Sequence, residues 1–196
     1  RIDGTIRVAT YNVLNFFDHA NDPTLEGEYD DFGDNPGPTS IERCEELAKA
    51  IRAVNADVLA FEAIPSYRET KIISKILEDS KKKSWISFTC KNDLEISDGT
   101  LLAQCCKYLK NHPNIFAIGV NCTSPKYISN LIKILKNNCG EKKIIVYPNS
   151  GKKYDSINKN WIGKKNNSFD ILLKEWIDLG VDIIGEEPAT NGKDLT

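Results

Sequence analysis

Short apolar segments that alternate with helical patterns constrain the fold of this 196-residue chain more than any other feature. Segments that are apolar almost throughout are typical of strands buried on both faces, as in a parallel sheet covered by helices. Such segments follow one another from residue 57 onward. They are predicted as strands 57–62, 84–89, 115–120, 143–147 and 181–185.

A further strand and several helices complete the pattern. The stretch TIRVATYNVL (5–14) is predicted as a strand. Strands and helices alternate, so the fold class is α/β, and a closed barrel of this kind has eight strands and about 250 residues. We therefore predict an incomplete or rebuilt (β/α) barrel-like fold with about six mainly parallel strands. Helices are predicted at 40–55, 66–80, 99–110, 124–138 and 168–179, and a long loop at 148–167.

Composition and cysteine usage exclude several classes of protein. No apolar run reaches the roughly 18 residues of a membrane span, so we expect no membrane partner. The six cysteines lack the CxxC spacing, and no secretory signal precedes them, so we expect reduced thiols and a cytoplasmic location. Cys105 and Cys106 are adjacent within a predicted helix and are interpreted as small buried apolar residues.

The charge pattern changes near residue 62. Residues 1–62 hold four Arg, one Lys and thirteen acidic residues, a net charge of −8, whereas residues 63–196 hold one Arg, twenty Lys and fifteen acidic residues, a net charge of +6. Neither folding nor solubility requires one segment to use Arg and the next Lys. We interpret 1–62 and 63–196 as segments of different ancestry within one compact domain. The total of −2 points to no particular partner, and we expect no nucleic acid.

The first segment resembles the start of the endonuclease/exonuclease/phosphatase superfamily. The resemblance rests on IRVATYNVLNFFD, an acidic Gly/Pro-rich loop and LAKAIRAVNADVLAFE, within residues 5–62. It implies that Asn12 and Glu62 form one wall of a magnesium site, and hard cations do prefer such oxygen ligands. The closing Asp-His pair of that family has no counterpart, because the two histidines, His19 and His112, stand in other contexts. Phosphodiester hydrolysis would then lack its general base.

The acidic loop at 18–39 is a separate feature of the first segment. It is rich in Asp, Glu, Gly and Pro, so we expect it to be exposed and mobile. It lacks the spacing of a known calcium loop, so we expect no tight calcium site there.

From about residue 57 the chain resembles homocysteine S-methyltransferases, which are zinc-dependent TIM-barrel enzymes. The resemblance implies that Cys122 in GVNC is a zinc ligand and that Glu62 in FEAIP is catalytic and holds the substrate amino group. Asn121 and Asp98 are further candidates for substrate binding. It also implies two partners, a small-molecule thiol and a sulfonium methyl donor. The matching stretches are LAFEAIPSYRE, SFTCKN with SDGT, AIGVNCTSP, VYPNSGKKYD and WIDLGVDIIG.

The last turn departs from the pattern of that family. The family places two adjacent cysteines after the final strand, whereas this chain reads GEEPAT, with Glu186, Glu187 and Pro188. One thiolate and a carboxylate are a poor substitute for three thiolates around zinc. We therefore expect an incomplete zinc site, which leaves three hypotheses open.

The preferred hypothesis is a non-catalytic chimeric scaffold derived from a homocysteine S-methyltransferase. The second is a methyl-transfer enzyme with a damaged zinc site, whose residual activity would be methylation of homocysteine. The third is a magnesium-dependent phosphodiesterase or endonuclease remnant. A barrel that is short of strands is also compatible with an oligomer.

Overall fold

A six-stranded, all-parallel sheet forms the centre of the molecule in a computed structural model. The structure describes residues 6–12, 49, 53, 56–80, 82–149, 153–155, 160–162 and 169–185. The sheet order is β1-β2-β3-β4-β5-β8, so neighbouring strands follow one another along the chain, and the sheet curls into a half-barrel. This confirms the predicted α/β fold with six parallel strands. The strands are β1 (Val8–Asn12), β2 (Val58–Ile64), β3 (Lys83–Phe88), β4 (Ile115–Asn121), β5 (Lys143–Tyr147) and β8 (Ile183–Ile184).

Four helices have described bounds, besides the helical residues Lys49 and Ala53, and two of these four begin with local signals that the sequence carries. Ser66 precedes the first helix and caps it, because its Oγ accepts from the Glu69 N–H at 3.2 Å; the same Oγ donates to Glu69 Oε1 at 3.0 Å. Pro125 opens the third helix, where its missing N–H costs no hydrogen bond. The helices are α1 (Tyr67–Ser80), α2 (Leu102–Leu109), α3 (Pro125–Asn138) and α4 (Phe169–Asp178).

The core lies between the helices and one face of the sheet. Alternate strand residues, such as Phe88, Ile118 and Val146, are fully buried against apolar residues of the helices, such as Leu77 and Leu131. Burial of such side chains stabilises the fold by roughly 1.5–3 kcal/mol each. Cys105 and Cys106 lie in α2 within this core with no exposed surface, as predicted.

The other face of the sheet is the inner face of the half-barrel, and it carries the intervening residues. Because side chains alternate along a strand, the neighbours of core residues point inward, and Glu62, Ser87, Asn121 and Tyr147 are of this set. Gly119 also belongs to it, and a Cβ there would overlap the carbonyl oxygen of Ile145. Only glycine therefore permits β4 and β5 to approach as they do at this position.

The predicted loop at 148–167 contains two short strands and so was wrong in part. β6 (Lys153–Asp155) and β7 (Asn160–Ile162) pair antiparallel, and their register sets Tyr154 opposite Trp161. Aromatic residues favour strands, but three-residue strands are too short for a periodic pattern to be read from sequence.

Other boundaries also differ. Of the predicted strand 5–14, residues 6 and 7 are not part of β1, and residues 5, 13 and 14 lie outside the described residues. The predicted strand 181–185 shortens to β8, whereas β2 runs past Glu62 to Ile64. The predicted boundary between ancestries at residue 62 thus falls inside a strand, and the division stays a prediction. None of the helices in the described ranges is long and apolar enough to cross a bilayer. Lys49 and Ala53 are helical, as predicted for 40–55, whereas the acidic loop 18–39 and His19 lie outside the described residues.

Candidate functional site

The carboxyl ends of β2 and β4 bring together the residues predicted for substrate and metal binding. Glu62 lies near the end of β2, Asn121 ends β4, and Cys122 follows directly. Glu62 and Cys122 are both partly exposed, whereas Asn121 is 1% exposed. Because β2 and β4 both pair with β3 in parallel, their carboxyl ends share one edge of the sheet. This is the edge where ligands bind in parallel α/β folds.

The side-chain amide of Asn121 links the two strand ends. Its Oδ1 accepts a hydrogen bond from the backbone N–H of Ala63 at 2.8 Å, although 58 positions separate the residues. Its Nδ2 lies 3.2 Å from Cys122 Sγ and donates to that sulfur. Both ends of the amide are therefore engaged within the protein. This geometry favours a positioning role for Asn121 over the predicted direct contact with substrate.

The backbone is strained at the residues that directly follow Glu62 and Asn121. Ala63 has φ = 55° and Cys122 has φ = 47°, and these are the non-glycine residues with positive φ among those the structure describes. Such conformations cost of order 1–3 kcal/mol and persist only where the surroundings enforce them. At Ala63 the enforcing contact includes the Asn121 amide. The strain accordingly sits at the edge that carries Glu62 and Cys122.

Thr123 ties this edge to its neighbours and was not identified from the sequence. Its Oγ1 donates to the Asn121 carbonyl at 2.8 Å and accepts from the Cys90 N–H at 2.9 Å. Its own carbonyl accepts from the Asn149 N–H at 3.2 Å. The ends of β3, β4 and β5 are thereby held in one hydrogen-bonded network. The threonine stands in the quoted motif GVNCTSP, but nothing in a single sequence distinguishes it from its neighbours.

Asp98, the weaker predicted substrate ligand, is engaged with the backbone around the same edge. Its Oδ2 accepts from the Tyr67 N–H at 2.7 Å and its Oδ1 from the Thr100 N–H at 2.8 Å. Its backbone N–H donates to the Pro65 carbonyl at 3.0 Å. The carboxylate therefore satisfies a free N–H at the start of α1 and holds the loop that follows Glu62. These contacts support a structural role, and substrate binding by Asp98 stays a prediction.

A tyrosine on β5 faces Glu62 and Cys122 from the inner face. Tyr147 Oη accepts from Trp85 Nε1 at 3.4 Å and forms a short hydrogen bond with Ser87 Oγ. Burial raises the pKa of Tyr147 well above its usual range, hydrogen bonds with Ser87 and Trp85 partly oppose this, and the nearby charges of Glu62 and Cys122 raise it further. The phenol is therefore a neutral hydrogen-bonding group at physiological pH. It was missed from sequence, although it stands in the quoted motif VYPNSG.

Among the described residues, the thiols do not assemble the three-thiolate zinc site that the resemblance implies. The described residues contain no group of three or more His, Cys, Asp or Glu side chains that could hold a metal ion. Cys122 is the partly exposed thiol at the candidate edge, whereas other described thiols lie in the core. The turn of Glu186 and Glu187 lies outside the described residues, and its sequence contains no cysteine. The donors present thus do not fit a zinc ion held by three sulfur atoms. The core thiols are Cys90, Cys105, Cys106 and Cys139.

The structure describes the predicted magnesium wall at the level of the backbone. The register of β1 and β2 sets Asn12 beside Glu62 at the same edge. A magnesium site needs further oxygen ligands, and no metal-binding group is found among the described residues. His112, one of the two histidines, is 7% exposed and lies away from this edge. Its Nε2 lies 2.9 Å from the Ser74 carbonyl and its Nδ1 accepts from the Asn114 N–H at 3.2 Å, which is a structural role.

Comparisons with known proteins point to one family. The model of the family described as homocysteine S-methyltransferase matches residues 24–186, and so spans the predicted boundary at residue 62. The endonuclease resemblance of residues 5–62 receives no support from this match.

Individual relatives give the same result. The chain is 43% identical over 139 residues to homocysteine S-methyltransferase YbgG of Bacillus subtilis (strain 168), covering 70% of this chain and 44% of that protein. It is 38% identical over 148 residues to homocysteine S-methyltransferase 3 of Arabidopsis thaliana, covering 73% and 41%. The chain thus spans less than half the length of these relatives.

Solved structures show a similar fold. The metallated form of the homocysteine methyltransferase MmuM from Escherichia coli superposes with a TM-score of 0.61 at 23% identity, covering 81% of this chain and 51% of that chain. Its oxidised form gives a TM-score of 0.55 at 27% identity, covering 74% and 44%. The six-stranded sheet therefore corresponds to part of a barrel.

Proposed function

Because the chain belongs to the homocysteine S-methyltransferase family, we propose that it binds an amino-acid thiol of the homocysteine class but does not transfer methyl groups at a useful rate. The observation that carries this proposal is the Asn121 amide, which joins the backbone at Ala63 to the sulfur of Cys122. It keeps Glu62 and Cys122 at one edge of the sheet.

Glu62 supplies the charge that an amino acid needs. Its carboxylate is partly exposed on the inner face and would hold the ammonium group of homocysteine by charge-assisted hydrogen bonds, which are worth about 1.5–3 kcal/mol each. Cys122, at the end of the next strand but one, would then lie towards the thiol end of the ligand. Asn121 and Asp98 would act indirectly by holding the strand end and the loop after Glu62.

Methyl transfer requires more than binding. The sulfur of homocysteine must attack the methyl carbon of a sulfonium donor as a thiolate, so that one S–C bond forms while the donor's S–C bond breaks. In the family, zinc would supply that thiolate. With Cys122 as the one thiol at this edge of the described residues, the donors do not fit such a zinc site. The substrate thiol would then stay largely protonated, near its ordinary pKa of about 8.5.

We propose a reducing compartment such as the cytoplasm for this chain. No disulfide joins the described cysteines, Cys122 included, and an amino-acid thiol persists as a ligand only where oxidation is suppressed. Completion of the half-barrel by a second polypeptide stays a prediction, and light scattering of the purified chain would test it.

Calorimetric titration with L-homocysteine under reducing conditions tests the binding proposal. Glu62→Gln removes the charge and should weaken binding by roughly tenfold or more. Glu78→Gln changes an exposed carboxylate on α1 and serves as the matched control, with unchanged affinity expected. Equal affinities of the unmodified chain and Glu62→Gln would contradict the proposed role of Glu62.

A methyl-transfer assay tests the second half of the proposal. The chain is incubated with zinc, L-homocysteine and methyl-labelled S-methylmethionine, a sulfonium amino acid. No label should appear in methionine above the rate without protein. Turnover that depends on Cys122 would show that other donors complete the site, and the chain would then be an active methyltransferase.

A further inference from the structure

A chain of hydrogen bonds crosses the inner face of the half-barrel and ends beside Glu62. Trp85 Nε1 donates to Tyr147 Oη at 3.4 Å, Tyr147 Oη is bonded to Ser87 Oγ, and Ser87 Oγ donates to the Phe61 carbonyl at 3.5 Å. An indole N–H can only donate and a carbonyl can only accept. All three hydrogen bonds therefore point in one direction. Trp85 donates to Tyr147, Tyr147 donates to Ser87, and Ser87 donates to the carbonyl that immediately precedes Glu62.

This hydrogen-bond chain joins strands that are not neighbours. Tyr147 belongs to β5, whereas Ser87 and Trp85 belong to β3, with β4 between them. Gly119 of β4 is the register partner of Ser87, and a Cβ at this position would overlap the carbonyl oxygen of Ile145, so glycine permits the close approach of β4 and β5 between the two bonded residues. The arrangement thus depends on residues from four adjacent strands.

The tyrosine is suited to hold position and unsuited to move protons. Burial keeps its phenol protonated, as described above, and its proton is committed to Ser87. It cannot therefore serve as a base for a thiol. Its hydrogen-bonded connection to Glu62 runs through Ser87 and the strand end of β2.

We propose that Tyr147 is a positioning residue for Glu62, acting through Ser87 and the Phe61 carbonyl to hold the carboxylate where it meets an amino-acid ammonium group. The proposal rests on the proposed function of Glu62 as the ammonium ligand. It assigns to the tyrosine of VYPNSG a role in selecting ligands that carry an amino group.

The test compares two ligands that differ only in that group, L-homocysteine and 4-mercaptobutanoate. Tyr147→Phe keeps the ring and removes the hydrogen bonds, so affinity for L-homocysteine should fall about three- to tenfold. Affinity for 4-mercaptobutanoate should stay within about twofold, because it has no ammonium group for Glu62 to hold. Ser87→Ala should give the same pattern.

A matched control exists on the outer side of the molecule. Tyr108 Oη lies 3.1 Å from Ser74 Oγ, so Tyr108→Phe also removes a tyrosine–serine hydrogen bond, but among the helices. It should leave both affinities unchanged, which separates positioning from general loss of stability. In a Glu62→Gln background, Tyr147→Phe should have no further effect on L-homocysteine. A further loss there would overturn the proposal, because Tyr147 would then act on something other than Glu62.

A second readout needs no ligand. Carbon-13 relaxation of the Glu62 side chain should show greater mobility in Tyr147→Phe and no change in Tyr108→Phe. Unchanged mobility in Tyr147→Phe would overturn the positioning role even if L-homocysteine failed to bind. Failure of L-homocysteine to bind the unmodified chain, with mobility altered as expected, would instead overturn the proposed function and leave Tyr147 holding Glu62 for a different ligand.

Discussion

The thiol at the carboxyl edge of the sheet and the thiols in the core have opposite surroundings. Cys122 is partly exposed, has a left-handed backbone and accepts a hydrogen bond from Asn121. Cys105 and Cys106 have no exposed surface and lie among apolar side chains of the helices and the sheet. This difference shows that residue type alone does not identify a functional cysteine. Burial and hydrogen-bond donors determine which sulfur atom is able to contact a ligand.

The ionisation of the core thiols follows from the same surroundings. Burial raises the pKa of Cys105 to about 12 and that of Cys90 beyond the range in which thiols titrate. The pKa of Cys106 is raised first by its hydrogen bond with Cys139 and then by burial. These thiols stay protonated while the protein is folded.

Alkaline pH should produce the largest effect on stability. In the unfolded chain these thiols titrate near pH 8.5, whereas in the folded protein they do not, so stability is full below about pH 8.5 and is lost as pH rises. Three such groups should together lower the free energy of unfolding by about 4 kcal/mol for each pH unit above about pH 9. They are Cys90, Cys105 and Cys106. Burial is the main cause of the lowered pKa of Lys142, and this one group opposes the loss of stability with rising pH. Urea unfolding at pH 8, 9 and 10 measures the slope, and a flat profile would contradict burial of the thiols.

Alkylation rates should separate the two kinds of thiol by roughly a thousandfold. Cys122 is accessible in the folded state, whereas Cys106 and Cys139 react only after local or global opening, which costs several kcal/mol in a core element. Timed treatment with iodoacetamide at pH 8, followed by peptide mass spectrometry, measures each site. Labelling of Cys106 within about tenfold of the rate of Cys122 would show that α2 opens readily.

Restoring two thiols should convert the edge into a zinc site. Glu187→Cys with Pro188→Cys follows the family pattern of two cysteines after the last strand. Loss of even an outer-sphere partner lowers metal affinity about 10–100-fold, so the gain of two thiolate ligands should raise zinc affinity more than roughly a hundredfold. Competition with a chromophoric chelator measures the affinity. Adding Cys122→Ser should abolish the gain. Unchanged affinity would show that this turn does not lie beside Cys122.

Removing the amide that joins the strand ends should have the smallest of these effects. Asn121→Ala leaves the buried Ala63 N–H without its partner and should lower the free energy of unfolding by about 2 kcal/mol. Asn130→Ala removes an exposed side-chain contact to Asp93 and should change it by less than about 0.5 kcal/mol. Urea unfolding at pH 7.5 compares them. Equal small losses would mean that water replaces the amide at Ala63.

The local sequence pattern was sufficient to predict most of the central sheet. The apolar segments that became β2 to β5 were predicted within two residues at each end, because burial on both faces leaves a continuous apolar run that needs no knowledge of neighbours. It also placed Glu62 at the end of a strand, because position at a strand end is a local property, whereas Cys122 was predicted from the family resemblance. The short strands β6 and β7 were not predicted, because a strand of three residues is too short to show a periodic apolar pattern.

The contacts that hold that edge depend on tertiary structure. The contacts of Asn121 with Ala63, of Asp98 with Tyr67, and of Tyr147 with Ser87 join residues 58, 31 and 60 positions apart. No local pattern encodes such pairs, because each depends on the register of strands that meet after the chain has folded. The positive φ angles at Ala63 and Cys122 have the same origin, since neither residue favours that conformation and only the surrounding packing enforces it.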